Sequence, residues 1–287
     1  MNGFLARACA AATAGVALGT LMVTAASASA DGSVTIYQDV IGASGGGGVP
    51  IHHGAPGPAG IAAGRAGALR LPHNDHAIGR ITAAPINNRY FAGYQTAVPA
   101  GSATVATASF TVPALSCTTT DRAIAPDAGV PANNYKTISI AGVFTGCVNG
   151  QAVYFPGLVV NGKETDYTTT PFAAGDLIDL TTKVSHFRTR VQVTDVTTGV
   201  TQKIIGAGAS ASAAYFGEDP WLSSTGALFH VPDFGKLTFK NCLIDGKALG
   251  SWHPHAYQRV NSNGTVQIRT GGLWPGGTAF TTHFEHS

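Results

Sequence analysis

From residue 89 onward the chain runs in short stretches where bulky apolar residues alternate with small or polar ones. Ala103-Thr104-Val105-Ala106-Thr107-Ala108-Ser109-Phe110-Thr111-Val112 keeps this period of two until Pro113 stops it, the pattern of a strand with one buried face. The same reading predicts strands at 91–94, 136–144, 152–160, 176–184 and 187–196. Thr197-Thr198-Gly199 reads as a hairpin turn into a strand at 200–205. An extended segment follows over 212–216, broken by Gly217 and Pro220, with strands at 227–231 and 236–244 after it. Asn261-Ser262-Asn263-Gly264 signals a last hairpin between 256–260 and 265–269. No amphipathic helical period emerges after residue 31. Many short strands divided by Gly, Asn and Pro turns predict an all-β fold, an antiparallel two-sheet sandwich.

The first part of the chain has a different texture. Residues 1–30 carry Arg7, an apolar run over 8–23 and the small-residue ending Ala28-Ser29-Ala30, the marks of a cleaved secretory signal. The run falls short of the roughly 20 residues a membrane helix needs, so a secreted, extracellular chain without a membrane span is expected. Residues 31–85 hold a possible strand at 34–40 and then Gly45 to Gly48, Gly54, Pro56, Gly57, Pro58 and Gly60, the composition of a flexible linker or propeptide. A sandwich over 86–249 and an extension with a hairpin over 250–287 complete the expected organisation. Only 11% of residues are charged and the net charge is +2; loss of Arg7 with the signal leaves 2 − 1 = +1. A chain so near neutrality has no electrostatic footprint for nucleic acid or anionic lipid, and a monomer is expected.

Candidate chemistry is sparse. Once Cys9 leaves with the signal, Cys117, Cys147 and Cys242 remain. A disulfide suits the extracellular setting, and Cys117–Cys147 is the expected pair because both follow predicted strands and sit in loops. Cys242 reads as a buried small hydrophobe. His52, His53, His73 and His76 with Asp75, and later His253 and His255 with Asp219 or Asp245, could be read as metal ligands. The first set matches the spacing of no defined site and reads as exposed histidines, and the second reads as part of a β-hairpin covering one end of the sandwich with its aromatics packed on the core, so no metal or cofactor is expected. Trp221, Trp252 and Trp274 could stack on sugars or simply pack on the core. No G-x-S-x-G elbow is present.

Four elements, in order, resemble the glutamic peptidase (eqolisin) family of secreted acid proteases. Phe91-Ala92-Gly93-Tyr94 is similar to its N-W-A-G-Y, and Ala108-Ser109-Phe110-Thr111-Val112-Pro113 to its G-x-W-T-V-P. Gly175-Asp176-Leu177-Ile178 is similar to G-D-x-I, and Asp233-Phe234-Gly235-Lys236-Leu237-Thr238-Phe239 to x-F-G-x-V-x-F. The resemblance covers about 89–249 and implies a concanavalin A-like sandwich.

It also implies a water-activating Glu in A-E-W-I-x-E and an oxyanion-binding Gln in a Q-x-G that follows a G-I-D-G turn. Matched to these, Ala213-Ala214-Tyr215-Phe216-Gly217-Glu218 puts Ala214 at the Glu position. Ala152-Val153-Tyr154-Phe155-Pro156-Gly157 puts Phe155 at the Gln position. Phe144 then replaces the Asp of the turn, and the acidic W-Y-E segment before Gly175 is missing. A methyl group takes no proton and a phenyl ring donates none, so the family chemistry is expected to be lost at both positions. Gln151 and Glu218, each four residues away, are the fallback pair if their strands are antiparallel neighbours. The expectation is an inactive extracellular protein that binds a peptide or polysaccharide in its concave cleft. An acid endopeptidase using Glu218 and Gln151, and a carbohydrate-binding module, are the alternatives.

Overall fold

The computed structural model describes residues 84–118, 122–221 and 228–286; the expected signal over 1–30, the Gly/Pro segment and the strand expected at 34–40 lie outside them. Among the described residues sixteen strands follow one another. They are β1 (Ile86–Asn88), β2 (Ala92–Ala97), β3 (Thr104–Thr111), β4 (Arg122–Ala132), β5 (Thr137–Val148), β6 (Gln151–Val160), β7 (Lys163–Asp166) and β8 (Leu177–Val184). Then come β9 (Arg188–Asp195), β10 (Thr201–Ala207), β11 (Ala213–Pro220), β12 (Lys236–Ile244), β13 (Lys247–Ala248), β14 (His255–Val260), β15 (Val266–Thr270) and β16 (Phe280–Phe284). One turn of 3₁₀-helix, Leu249–Trp252, is the single helical element among the described residues. No helix there is long and apolar enough to cross a membrane.

Hydrogen bonding runs β10-β9-β8-β3-β12-β16-β15-β14-β2-β11-β4-β5-β6-β7. The path folds back on itself at β12, which bonds β16 through its first half and β3 through its second, with a bulge between Lys240 and Leu243. A short layer, β10 to β12, therefore packs on a longer one, β16 to β7, and β8 and β9 meet β4, β5 and β6 face to face. This is the expected two-layer sandwich. Side chains that alternate inward supply the core between the layers: Ala108 and Phe110, Ile178 and Leu180, Val191 and Val193 from one side, and Ala128, Val130, Ala141, Val143, Ala214 and Phe216 from the other. A buried hydroxyl stitches the layers, Thr182 Oγ1 donating to the Ala128 carbonyl at 2.8 Å and accepting from the Ala141 N–H at 3.0 Å.

Three elements differ from expectation. Strand β4 is absent from the sequence reading because Pro126, Gly129 and Pro131 break its alternation. It nevertheless lies deep in the longer layer, between β11 and β5. Its ladder to β5 lapses between Ile124 and Asp127, where Pro126 has no N–H to give. Residues 228–231 make only isolated bridges rather than the strand expected at 227–231. The hairpin expected in the C-terminal extension is present as β14 and β15, but it does not stand apart from the sandwich: with β16 it joins β12 to β2 inside the layer.

Candidate functional site

The outer face of the longer layer, opposite the core, carries the chemistry. On β11 the even positions Ala214 and Phe216 belong to the core between the layers, while Tyr215 and Trp221 belong to clusters on the outer face. The pleat puts Asp219 with them. On β4 the outward set is Ala123, Ala125, Asp127 and Gly129; on β5 it is Ile140, Gly142 and Phe144; on β6 it is Val153, Phe155, Gly157 and Val159.

Two aromatic clusters cover this face. Phe144 stacks on Phe155 at 4.5 Å, and Trp221 meets Phe144 edge-on at 4.9 Å. Further along, Phe91, Ile140, Val159, Tyr215 and Tyr257 form the second cluster, with Phe91 edge-on to Tyr215 at 5.3 Å. Glycine makes room for the rings. A Cβ on Gly129 would lie 2.1 Å from Tyr215 Cε1, and one on Gly217 would lie 2.6 Å from Phe91 Cε2.

Acidic groups sit between and beneath the aromatics. Asp127 pairs with Gly217 in the β4–β11 register and Asp219 with Ala125, so the two carboxyls are diagonal neighbours across the strand pair. Both are fully buried, as are Tyr215 and Glu218. Tyr215 donates from its hydroxyl to Asp219 Oδ2 at 2.9 Å. Glu218 points the other way, between the layers, and accepts from the Thr282 hydroxyl of β16. Arg259 of β14, also buried, donates from Nη2 to the Phe229 carbonyl at 3.2 Å.

Burial dominates the electrostatics. It pushes Asp127 well above the carboxylate range, helped by the charge of Asp219, a hydrogen bond with it, and the charge of Glu218. Glu218 is raised to about 8 by burial and the charge of Asp219, against the opposing pull of Thr282 and Arg259. Burial lowers Arg259 to about 10, although the charges of Asp219 and Glu218 work to raise it. Tyr215 stays protonated because burial and the neighbouring aspartates raise its phenol. Asp166 of β7, opposite Gly157, is raised by burial and by Glu164.

The residues singled out in the sequence are not brought together. Phe155 faces outward and Ala214 inward, so a Gln and a Glu at those two positions could not share one water. Gln151 and Glu218 are not on neighbouring strands: β4 and β5 intervene, about 14 Å at the usual strand spacing. Gln151 is exposed at the start of β6, whereas Glu218 is buried in the interior. Cys117 and Cys147 are joined in a disulfide, with Cα atoms 5.4 Å apart, and Cys242 is free and buried. Trp221 is on the outer face, Trp252 packs against the core between the layers, and Trp274 is exposed, so they form no common platform. His253 and His255 belong to no group able to hold a metal among the described residues; His52, His53, His73 and His76 lie outside them. Sequence reading missed Asp127 and Arg259, whose strands place them here; Asp127 was passed over because β4 was not recognised as a strand, and Arg259 stands in no motif that would have marked it.

The described residues form a two-layer antiparallel β-sandwich with buried carboxyls and aromatic clusters in its longer layer. The pattern of the Peptidase A4 family matches residues 89–275, and the chain belongs to that family. Among solved structures it resembles scytalido-glutamic peptidase with a transition state analog inhibitor, at 17% identity, TM-score 0.55, over 69% of this chain and 98% of that one. It also resembles SCP-B, a member of the eqolisin family in complex with the tripeptide Ala-Ile-His, at 16% identity, TM-score 0.54, over 69% and 98%. No curated protein sequence matches the chain significantly.

Proposed function

We propose that this chain is an exported glutamic-peptidase-type sandwich that has lost the family's Glu and Gln chemistry and binds polypeptide without cleaving it. The observation that carries the reading is the contact cluster of Ile140 with Tyr215 on the outer face. With β4 recognised, the family motifs fit in a second register. Ala125-Pro126-Asp127-Ala128 takes the place of G-I-D-G, and Ile140-Ala141-Gly142 on the next strand takes that of Q-x-G. A shift of one residue on β11 turns Ala214-Tyr215-Phe216-Gly217-Glu218-Asp219 into A-E-W-I-x-E. In this register Asp127 and Asp219 retain two of the family's acids, and β6 takes the place of the W-Y-E segment. Tyr215 stands for the Glu and Ile140 for the Gln, facing one way on one cluster.

A buried phenol that holds its proton cannot remove one from water in acid, and an isoleucine cannot donate to an oxyanion. Losing such a donor costs about 10²–10³ in rate, and losing a general base about 10²–10⁴. A polypeptide is the ligand class favoured because the two solved relatives hold a transition state analog and a tripeptide.

The test is the purified mature chain incubated with acid-denatured casein at pH 2–4. No acid-soluble peptide is expected, while casein should bind in calorimetry. Hydrolysis abolished by Glu218→Gln would instead establish the endopeptidase, and retention on insoluble polysaccharide without casein binding would favour the carbohydrate module. The double variant Ile140→Gln with Tyr215→Glu is expected to gain acid proteolysis, and Phe155→Gln with Ala214→Glu is not. Export is checked by sequencing the N-terminus of the chain recovered from the medium, expected near Asp31.

A further inference from the structure

Strands β8, β9 and β10 turn one side to the core and the other to solvent. Ile178, Leu180, Val191 and Val193 lie inward, so the alternate positions line the outer face of the shorter layer. Strand pairing gathers there cations that stand apart in the sequence. Lys183 of β8 is directly opposite Arg190 of β9. Gln192, the next outward residue of β9, is opposite Lys203 of β10, and Arg188 lies outward on the other side of Arg190. This face of the three strands holds one acid, Asp179, so its charge is 4 − 1 = +3. That carboxylate accepts from the Ser109 hydroxyl at 2.6 Å. Asp195, the other acid of these strands, is buried and accepts from the Thr197 and Thr198 N–H groups of the next turn. Among the described residues none of the four cations is joined to a carboxylate. Like charges directly opposite across a strand pair are destabilising. The Arg190 guanidinium lies along its own strand, donating from Nη2 to Gln192 Oε1, and its buried Nε finds no acceptor. An anion bound over this face would relieve the repulsion.

Two exposed apolar side chains border the cations. Phe187 is 94% exposed at the tip of the turn between β8 and β9. Ser185 closes that turn, donating from its N–H and its hydroxyl to the Arg188 carbonyl at 3.1 and 2.8 Å. Ile205, 53% exposed, is opposite Arg190 on the side away from Lys183. β10 ends the hydrogen-bonded path, so no further strand covers this margin among the described residues. Cations beside an uncovered phenyl ring match the layered chemistry of a bilayer surface, with anionic phosphates outermost and acyl chains beneath. A dissolved polyanion would answer the cations and leave the ring in water. We propose that this corner of the shorter layer docks the protein peripherally on anionic phospholipid, with Lys183, Arg188, Arg190 and Lys203 against the phosphates and Phe187 inserted below them. A net charge of +2 averages over the whole chain and conceals the patch, which is why composition excludes lipid and the sheet does not. The docking corner is on the opposite side of the sandwich from Tyr215 and the aromatic clusters. A molecule held this way keeps the polypeptide-binding face toward solvent, and the docking is independent of what that face does.

The test is co-sedimentation of the purified mature chain with vesicles of phosphatidylcholine alone, and with vesicles of which about one third is phosphatidylglycerol. Binding to the anionic vesicles only is expected, and raising the salt from about 0.05 M to about 0.5 M should release it. A cation near such a surface is worth about fivefold in partitioning, so Arg188→Gln with Lys203→Gln should weaken binding about 25-fold. Phe187→Ser should weaken it about tenfold. Arg269→Gln, on β15 in the longer layer, should leave it unchanged. All four positions are exposed, and the variants are expected to melt with the parent; should one not fold, the lipid and salt dependence of the unaltered chain decides alone. Absence of binding to anionic vesicles, equal binding to neutral ones, or binding indifferent to salt and to the β9, β10 and Phe187 variants overturns the proposal. Retention on dextran sulfate that Phe187→Ser leaves intact, without vesicle binding, would assign the patch to a dissolved polyanion and overturns it too.

Discussion

Tyr215 shows how much one residue's facing decides. Its ring lies where a side chain on Gly129 would be, its edge meets Phe91, and its hydroxyl reaches Asp219 four residues along its own strand. Ala214 beside it is buried in the other layer of packing. Because a strand alternates every residue, matching the family's Glu to one or the other sends that position to opposite faces. The motif letters alone allow both matches. Gly129→Ala tests the packing: the new methyl must push the Tyr215 ring aside, an overpacking cost of about 1–3 kcal/mol. At roughly 2–4 °C per kcal/mol for a chain of this size, the melting temperature is expected to drop by several degrees. An unchanged melting temperature would show that the ring does not occupy that space in solution.

At the level of elements, β4 governs the rest. Its two prolines and its glycine hide it from any reading based on alternation, yet it separates β11 from β5. Without it, the Q-x-G match slides from Ile140-Ala141-Gly142 to Phe155-Pro156-Gly157, one whole strand further out. The same strand lies within the disulfide loop, since Cys117 precedes it and Cys147 is near the end of β5, 30 residues on. Closing a loop of that size removes unfolded-chain entropy worth roughly 3–4 kcal/mol. Replacing both cysteines by serine, or reducing the bond, is expected to lower the melting temperature by roughly ten degrees. A shift of less than two degrees would mean that the β4–β5 pair needs no tether. The strands at 103–113, 176–184 and 187–196 were legible because their faces are plainly unequal, apolar toward the core and polar toward solvent.

For the molecule as a whole, the two layers are one hydrogen-bonded path, and its continuity runs through the C-terminus. β16, β15 and β14 bridge β12 to β2, so residues beyond 249 complete the layer that carries the buried acids. Truncation after Leu249 removes three strands and also Arg259 and Thr282, which face Glu218. The truncated chain is expected to show no cooperative thermal transition in circular dichroism at any pH from 3 to 8. A sharp transition near that of the full chain would mean the sandwich closes without them. The low charge of the sequence, 11% of residues, takes on a different meaning here: few charges exist, but Asp127, Glu218, Asp219 and Arg259 are all buried within the longer layer.

By itself the sequence determined the class of fold, the order of most strands and the family, and it pointed to the pair of cysteines that the structure joins. These rest on period, turn residues and short motifs, which are local properties of the chain. Tertiary structure alone decided which faces meet: that Phe155 and Ala214 look away from each other, that Gln151 and Glu218 are strands apart, and that Asp127, Asp219 and Arg259 converge. The reason is that pairing between distant strands sets the register, and a slip of one residue in register reverses every side chain along a strand.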